Sequence, residues 1–226
     1  MAVRDMDLCC GASSGIGFPP YRRRDFVAPF FLLSQSATHH GRHRIKKGEA
    51  HLSDLPRLSL VLGGAASGKS SFAERLVTNS GRPRIYLATA QAFDDEMRAK
   101  LVRHREIRGS DWRTCEAPFD LAPVLAHASA QEVVLLDCIT MWLSNHLLAD
   151  HDLDDAQSAL FSALNACAAP VVMVSNEVGL SVVPENALAR RFRDAQGRLN
   201  QELAARSDFV VNVIAGLPVL LKGNLP

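Results

Sequence analysis

The chain has 226 residues, 47% of them hydrophobic and 22% charged, enough for the core of one ordinary globular domain with an appendage. A formal net charge of +1 gives no general attraction to nucleic acid or to a membrane surface, so any anion must be held by a local site. Five cysteines without a C-x-x-C pair argue against a disulfide framework and a zinc site, and no apolar run approaches the ~18 residues of a membrane span, so a cytoplasmic protein is expected.

Residues 1 to about 56 carry clustered basic residues, Pro19-Pro20 and the pair His39-His40, with no sustained period of 2 or 3.6. They are expected to be a disordered extension, or an upstream stretch translated from a misassigned start, outside the domain at 57–226. Arg22-Arg23-Arg24 precedes an apolar stretch from Phe26 to Leu33, but that stretch is short, contains Pro29 and lacks a small-residue cleavage site. Gly11-Ala12-Ser13-Ser14-Gly15-Ile16-Gly17 imitates a dinucleotide-binding turn. Such a turn must follow a buried strand and open a helix, whereas this one runs into Phe18-Pro19-Pro20. A metal on His39, His40 and His43 is a weaker reading than a polar, unstructured stretch.

The apolar run Leu58–Leu62 predicts a strand. It leads into Gly63-Gly64-Ala65-Ala66-Ser67-Gly68-Lys69-Ser70 and then a helix at 70–79. Strand, glycine-rich loop and helix in that order let backbone N–H groups wrap a triphosphate at a helix N-terminus. Lys69 then reaches the β and γ phosphates, and the Ser70 hydroxyl reaches Mg²⁺. A strand follows at Arg84–Ala88. The helix expected at 93–107 has Asp94, Asp95 and Glu96 in its first turn and bases in its last, as the macrodipole favours. His104 at its basic end is either a solvated surface group or a nucleophile. Arg103, Arg105 and Arg108 could hold nucleotide phosphates beside it and favour its neutral ring.

A helix at 119–129 precedes the strand Glu132–Asp137, whose terminal carboxylate suits Mg²⁺ in a phosphate-loop enzyme or an N-cap for the next helix, or both. Thr140, in the helix at 140–148, either contributes a hydroxyl or is an ordinary helix position. After a helix at 154–168 comes the strand Pro170–Ser175. Ser175-Asn176-Glu177-Val178-Gly179 then lies where open α/β sheets place ligands, or is simply a polar turn. The long helix at 185–206 repeats Leu188, Phe192, Ala195, Leu199 and Leu203 at helical spacing, a face for the sheet. Its Arg190-Arg191-Phe192-Arg193 run is a solvated face on the bland account. Asn200 and Gln201 are free to meet a substrate or a subunit. A strand at Phe209–Ile214 completes the set. Continuous apolar strands are buried on both faces, so the expected fold is α/β of the P-loop NTPase type, a mainly parallel sheet with helices on both faces.

Seven ordered blocks carry a resemblance: GGAASGKS at 63–70, LATAQAFDDEM at 87–97, the His104 region through Trp112-Arg113-Thr114, LLDCITMWLSN at 135–145, SNEVGLSVVPENALARRFRD at 175–194, GRLNQELA at 197–204 and AGLPVLLK at 215–222. Over residues 58–222 the chain resembles the bifunctional adenosylcobinamide kinase / adenosylcobinamide-phosphate guanylyltransferases of cobalamin biosynthesis. The resemblance implies that ATP or GTP phosphorylates the aminopropanol hydroxyl of adenosylcobinamide. It further implies that GTP guanylylates His104, and that GMP passes to adenosylcobinamide phosphate. It also implies a homo-oligomer, with a trimer expected. Arg103 stands where some members carry another histidine, Gly109 where many have Pro, and Ser181 where many have Gly; the last two bear on loop geometry rather than on reacting groups. The competing readings are another small-molecule kinase without a covalent histidine, a GTPase-type switch, which lacks its N-K-x-D and D-x-x-G motifs here, and a pure binding module.

Overall fold

The computed structural model describes residues 55–91 and 111–225. Residues 1–54 lie outside them, as do the helix expected at 93–107 and Arg103, His104, Arg105, Arg108 and Gly109. The strands are β1 (Leu58–Gly63), β2 (Arg84–Ala88), β3 (Trp112–Glu116), β4 (Val133–Asp137), β5 (Val171–Asn176), β6 (Phe209–Ile214) and β7 (Leu217–Lys222). They form one sheet in the order β3-β2-β4-β5-β1-β6-β7, parallel except for β7 against β6. The described helices are α1 (Lys69–Asn79), α2 (Ala122–His127), α3 (Ile139–Leu148), α4 (Leu153–Ala166) and α5 (Ala187–Arg206).

Because strand side chains alternate, each central strand feeds two cores. Leu58, Leu60, Val134, Leu136, Val171 and Met173 join Trp142, Leu143, Leu160, Leu199 and Leu203 from α3, α4 and α5. Val61, Val133, Leu135, Val172 and Val174 face the other way, onto Ala73, Leu76 and Val77 of α1. One face therefore carries α1 and the other carries the remaining described helices. Each fully buried leucine contributes about 1.5–3 kcal/mol to this two-sided core.

Helix ends follow local chemistry. Asp152 caps α4 by accepting from the N–H groups of Asp154 and Asp155 at 2.8 and 3.1 Å, and Asn186 caps α5 through Leu188 and Ala189. The long helix matches its expected apolar face from Phe192 onward, but Leu188 is 45% exposed and stands outside the core. The stretch at 119–129 keeps only the helix Ala122–His127, since Pro123 fixes its start and Ala128 is already extended.

One aromatic cluster packs α3 against the segment before α2. Trp142 Nε1 donates to Phe119 O at 2.8 Å, and His146 lies 4.5 Å from the Trp142 ring and 5.4 Å from Phe119. The Nδ1 atoms of His146 and His151 are 3.1 Å apart, so one ring donates to the other. Burial pushes the His146 pKa below its ordinary 6.5. The unfolded chain thus takes up this proton at higher pH than the folded one, and stability falls as pH drops from about 6.5 toward the folded value. Chemical denaturation across pH 5–7 is expected to show a shallower acid loss in His146→Gln than in the wild type; identical slopes would contradict it.

Candidate active site

Parallel pairing brings the carboxyl ends of four strands to one edge. Gly63 stands beside Asn176, and Asp137 stands between Val174 and Ala88. Here β1 ends in the glycine-rich loop and α1 begins. Gly68 occupies the N-cap with no side chain capping the helix and no acid in its first turn, so α1 supplies no acid of its own to its positive end. Ala66 and Gly68 have φ of 53° and 91°, and Ser67 N donates to Gly64 O at 3.3 Å. Lys69 Nζ lies over the loop, donating to Gly64 O at 3.0 Å.

Two neighbours brace this cradle. Glu177 N donates to Gly63 O at 3.1 Å, and Gly216 N, in the β6–β7 turn, donates to Ser67 O at 2.8 Å. The turn residues Ala215 and Gly216 both have positive φ, as a tight two-residue hairpin requires. A Cβ on Gly68 would come 3.2 Å from Gly216 Cα in a left-handed conformation. Gly68→Ala is therefore expected to cost about 1–3 kcal/mol, read as a lowered denaturant midpoint, and to weaken nucleotide binding; an unchanged midpoint would contradict the brace.

Asp137 sits half-buried at the end of β4, where Tyr86 Oη donates to Oδ2 at 3.1 Å. The N-cap of α3 is Cys138 rather than Asp137, which corrects the capping alternative and leaves the carboxylate at the sheet edge. Thr89 fixes the following residue: its Oγ1 accepts from Cys138 N at 2.9 Å and donates to Cys138 O at 2.7 Å. Asn145 Nδ2 holds Thr89 O and Pro118 O. The Cys138 thiol is pushed up to about 11, by burial first and then by the Asp137 charge, so it stays protonated at neutral pH and is no nucleophile.

Behind the edge lies a buried polar network. Thr140 Oγ1 accepts from Asn176 N at 2.7 Å, Asn200 Nδ2 donates to Asn176 O at 3.1 Å, and Ser175 Oγ donates to Asn200 Oδ1 at 2.7 Å. Gln196 completes it by donating to Ser175 Oγ at 3.0 Å. Thr140 and Asn200 thus hold the tip of β5 beside the loop. Gln201 is exposed, and Arg190 donates to Pro184 O, tying down the loop before α5. Ser181 lies in that exposed loop, where its hydroxyl donates to Val178 O at 3.0 Å.

Gly63 to Ser70 and Asp137 are therefore brought to one edge, whereas His104 and its three arginines lie outside the described residues. Tyr86, Thr89 and Asn145 were not anticipated as supports, because each acts through a partner distant in sequence. Among the described residues no group of three His, Cys, Asp or Glu side chains could hold a metal. The Ser70 hydroxyl and the Asp137 carboxylate nonetheless suit Mg²⁺, a hard cation that takes few protein oxygens and completes its shell with substrate phosphate and water.

A mainly parallel sheet, a glycine-rich loop between its central strand and first helix, and a carboxylate two strands away define a phosphate-loop nucleotide-binding protein. No described helix is long and apolar enough to cross a membrane. Residues 59–221 match the family described as cobinamide kinase / cobinamide phosphate guanyltransferase. The chain is 47% identical over 168 residues to the bifunctional adenosylcobalamin biosynthesis protein CobP of Pseudomonas aeruginosa, covering 73% of this chain and 97% of that one. It is 41% identical over 179 residues to the bifunctional adenosylcobalamin biosynthesis protein CobU of Salmonella typhimurium, covering 72% and 98%. A prototypical type III secretion ATPase of pathogenic bacteria aligns with a TM-score of 0.47 and 13% identity over 74% of this chain and 57% of that one, too distant a likeness to carry any argument. The chain belongs to the cobinamide kinase / cobinamide phosphate guanyltransferase family and is a bifunctional enzyme with both activities.

Proposed function

We propose that ATP or GTP, bound as its Mg²⁺ complex, donates its γ-phosphoryl group to the aminopropanol hydroxyl of adenosylcobinamide, and that the product then receives GMP from GTP through His104. The hydroxyl oxygen forms the new bond to phosphorus, the bond to the β-phosphate oxygen breaks, and the hydroxyl proton is released. Loop N–H groups and the Lys69 ammonium stabilise the charge that builds on the transferred group. Ser70 and Asp137 would hold Mg²⁺, which supplies further neutralisation of phosphate charge when bound.

In the second reaction a neutral His104 nitrogen attacks the α-phosphorus of GTP and pyrophosphate leaves. A phosphate oxygen of adenosylcobinamide phosphate next displaces the histidine, giving adenosylcobinamide-GDP. Arg103, Arg105 and Arg108 are assigned to the nucleotide phosphates. A cytoplasmic homo-oligomer, a trimer, completes the reading, with residues 1–56 as an extension outside the domain. The observation that carries the proposal is the braced Gly63–Ser70 cradle with Asp137 at the same sheet edge. Purified protein given adenosylcobinamide, ATP and GTP is expected to yield the phosphate and then the GDP ester by mass spectrometry. Failure to form the phosphate would overturn the first step, and failure to convert supplied phosphate would overturn the second.

A further inference from the structure

Strand alternation sends every second residue of β4 to the α1 face: Val133 and Leu135 pack there, and Asp137 is next in the same series. On β2 that face takes Tyr86 and Ala88, and Ala88 is the register partner of Asp137. Tyr86 is 5% exposed; it shares one core with Ala73, Leu76 and Val77 of α1, and its ring stands edge-on to Trp112 at 6.3 Å. A ring so enclosed holds its hydroxyl at a fixed point. That point is 3.1 Å from Asp137 Oδ2.

The backbone behind the carboxylate is already clamped. Thr89 N donates to Asp137 O at 3.3 Å, and the Thr89 hydroxyl holds both the N–H and the C=O of Cys138. Those bonds do not restrain rotation of the Asp137 side chain, whereas the phenol does. A carboxylate accepts at about four positions, so one bond from Tyr86 orients the group without using up its capacity for a cation. Phenylalanine would fill the same core space, so the hydroxyl is what sets Tyr86 apart. The Lys69 charge acts on the Cys138 thiol, which puts the loop's cation and the end of β4 in one space. We infer that Tyr86 is a positioning residue for the Mg²⁺ site: its hydroxyl fixes the Asp137 carboxylate in the orientation that meets the cation of a loop-bound nucleotide. This rests on the assignment of Ser70 and Asp137 to Mg²⁺ above and adds to it a residue from the neighbouring strand.

The test is calorimetry of ATP binding to the full chain, with Mg²⁺ and with a chelator in its place; the ratio of the two affinities is the metal's contribution. Tyr86→Phe is expected to shrink that ratio about tenfold while leaving metal-free ATP affinity within about twofold, as loss of a bond that orients a metal ligand does. Asp137→Asn should remove most of the metal's contribution. Adding Tyr86→Phe to it should change the ratio by no more than about twofold further, because the phenol acts through that carboxylate. Tyr86→Phe keeps the ring and its packing, so the variant folds, and its melting temperature checks this. An undiminished ratio in Tyr86→Phe overturns the inference. Equal weakening of ATP with and without metal makes Tyr86 a structural residue and overturns it too, as does a large further loss in the double variant. Wild-type protein whose ATP affinity ignores Mg²⁺ overturns the metal assignment and the inference with it. Wild-type protein that binds no ATP in either condition overturns the phosphate-loop reading itself.

Discussion

Lys69→Ala is expected to slow phosphorylation of adenosylcobinamide about 10²- to 10³-fold, and to impair guanylylation as well. The ammonium is held over the loop by its bond to Gly64 O, where a triphosphate would meet it without the side chain first being ordered. Preorganised charge of this kind typically contributes two to three orders of magnitude to a transfer step. The variant should fold normally, because Lys69 is only partly buried in the first turn of α1 and alanine is a good helix former. Steady-state kinetics with both nucleotides checks the expectation. A kcat within about twofold of wild type for both reactions would remove Lys69 from the mechanism.

The second large effect is selective. With α-labelled GTP the wild type should form an acid-labile, alkali-stable protein adduct. His104→Ala should form none, yet should phosphorylate adenosylcobinamide at near the wild-type rate. A phosphorus–nitrogen bond has those stabilities, and on the proposed route the first transfer asks nothing of the imidazole. Unlabelled but active wild-type protein would favour a transfer without a covalent histidine. Equal loss of both activities in a folded His104→Ala protein would contradict the division of labour.

Much of the sheet was legible because its inner strands announce themselves. Leu58–Leu62, Val133–Leu136 and Val171–Val174 are continuous apolar runs, since both faces of each are covered. The strands at the two edges were not. Trp112–Glu116 is only half-buried and mixes Arg113, Thr114 and Glu116 into its run, while Leu217–Lys222 contains Pro218 and is mostly exposed. Edge positions tolerate both features because, among the described residues, no further strand pairs beyond them. The phosphate loop was readable from spacing alone. The groups that hold its surroundings were not, since Tyr86 to Asp137, Thr89 to Cys138 and Asn145 to Thr89 are meetings between elements far apart in sequence. Asp137 shows the same limit. An acid before a helix reads equally well as a cap or as a site residue, and only the backbone geometry separates them.

The hydrogen bond from Gly216 to Ser67 gives the protein a timetable. In the chain the glycine-rich segment and its helix come well before the turn that steadies them. The brace on the phosphate loop therefore waits on the pairing of β6 with β7.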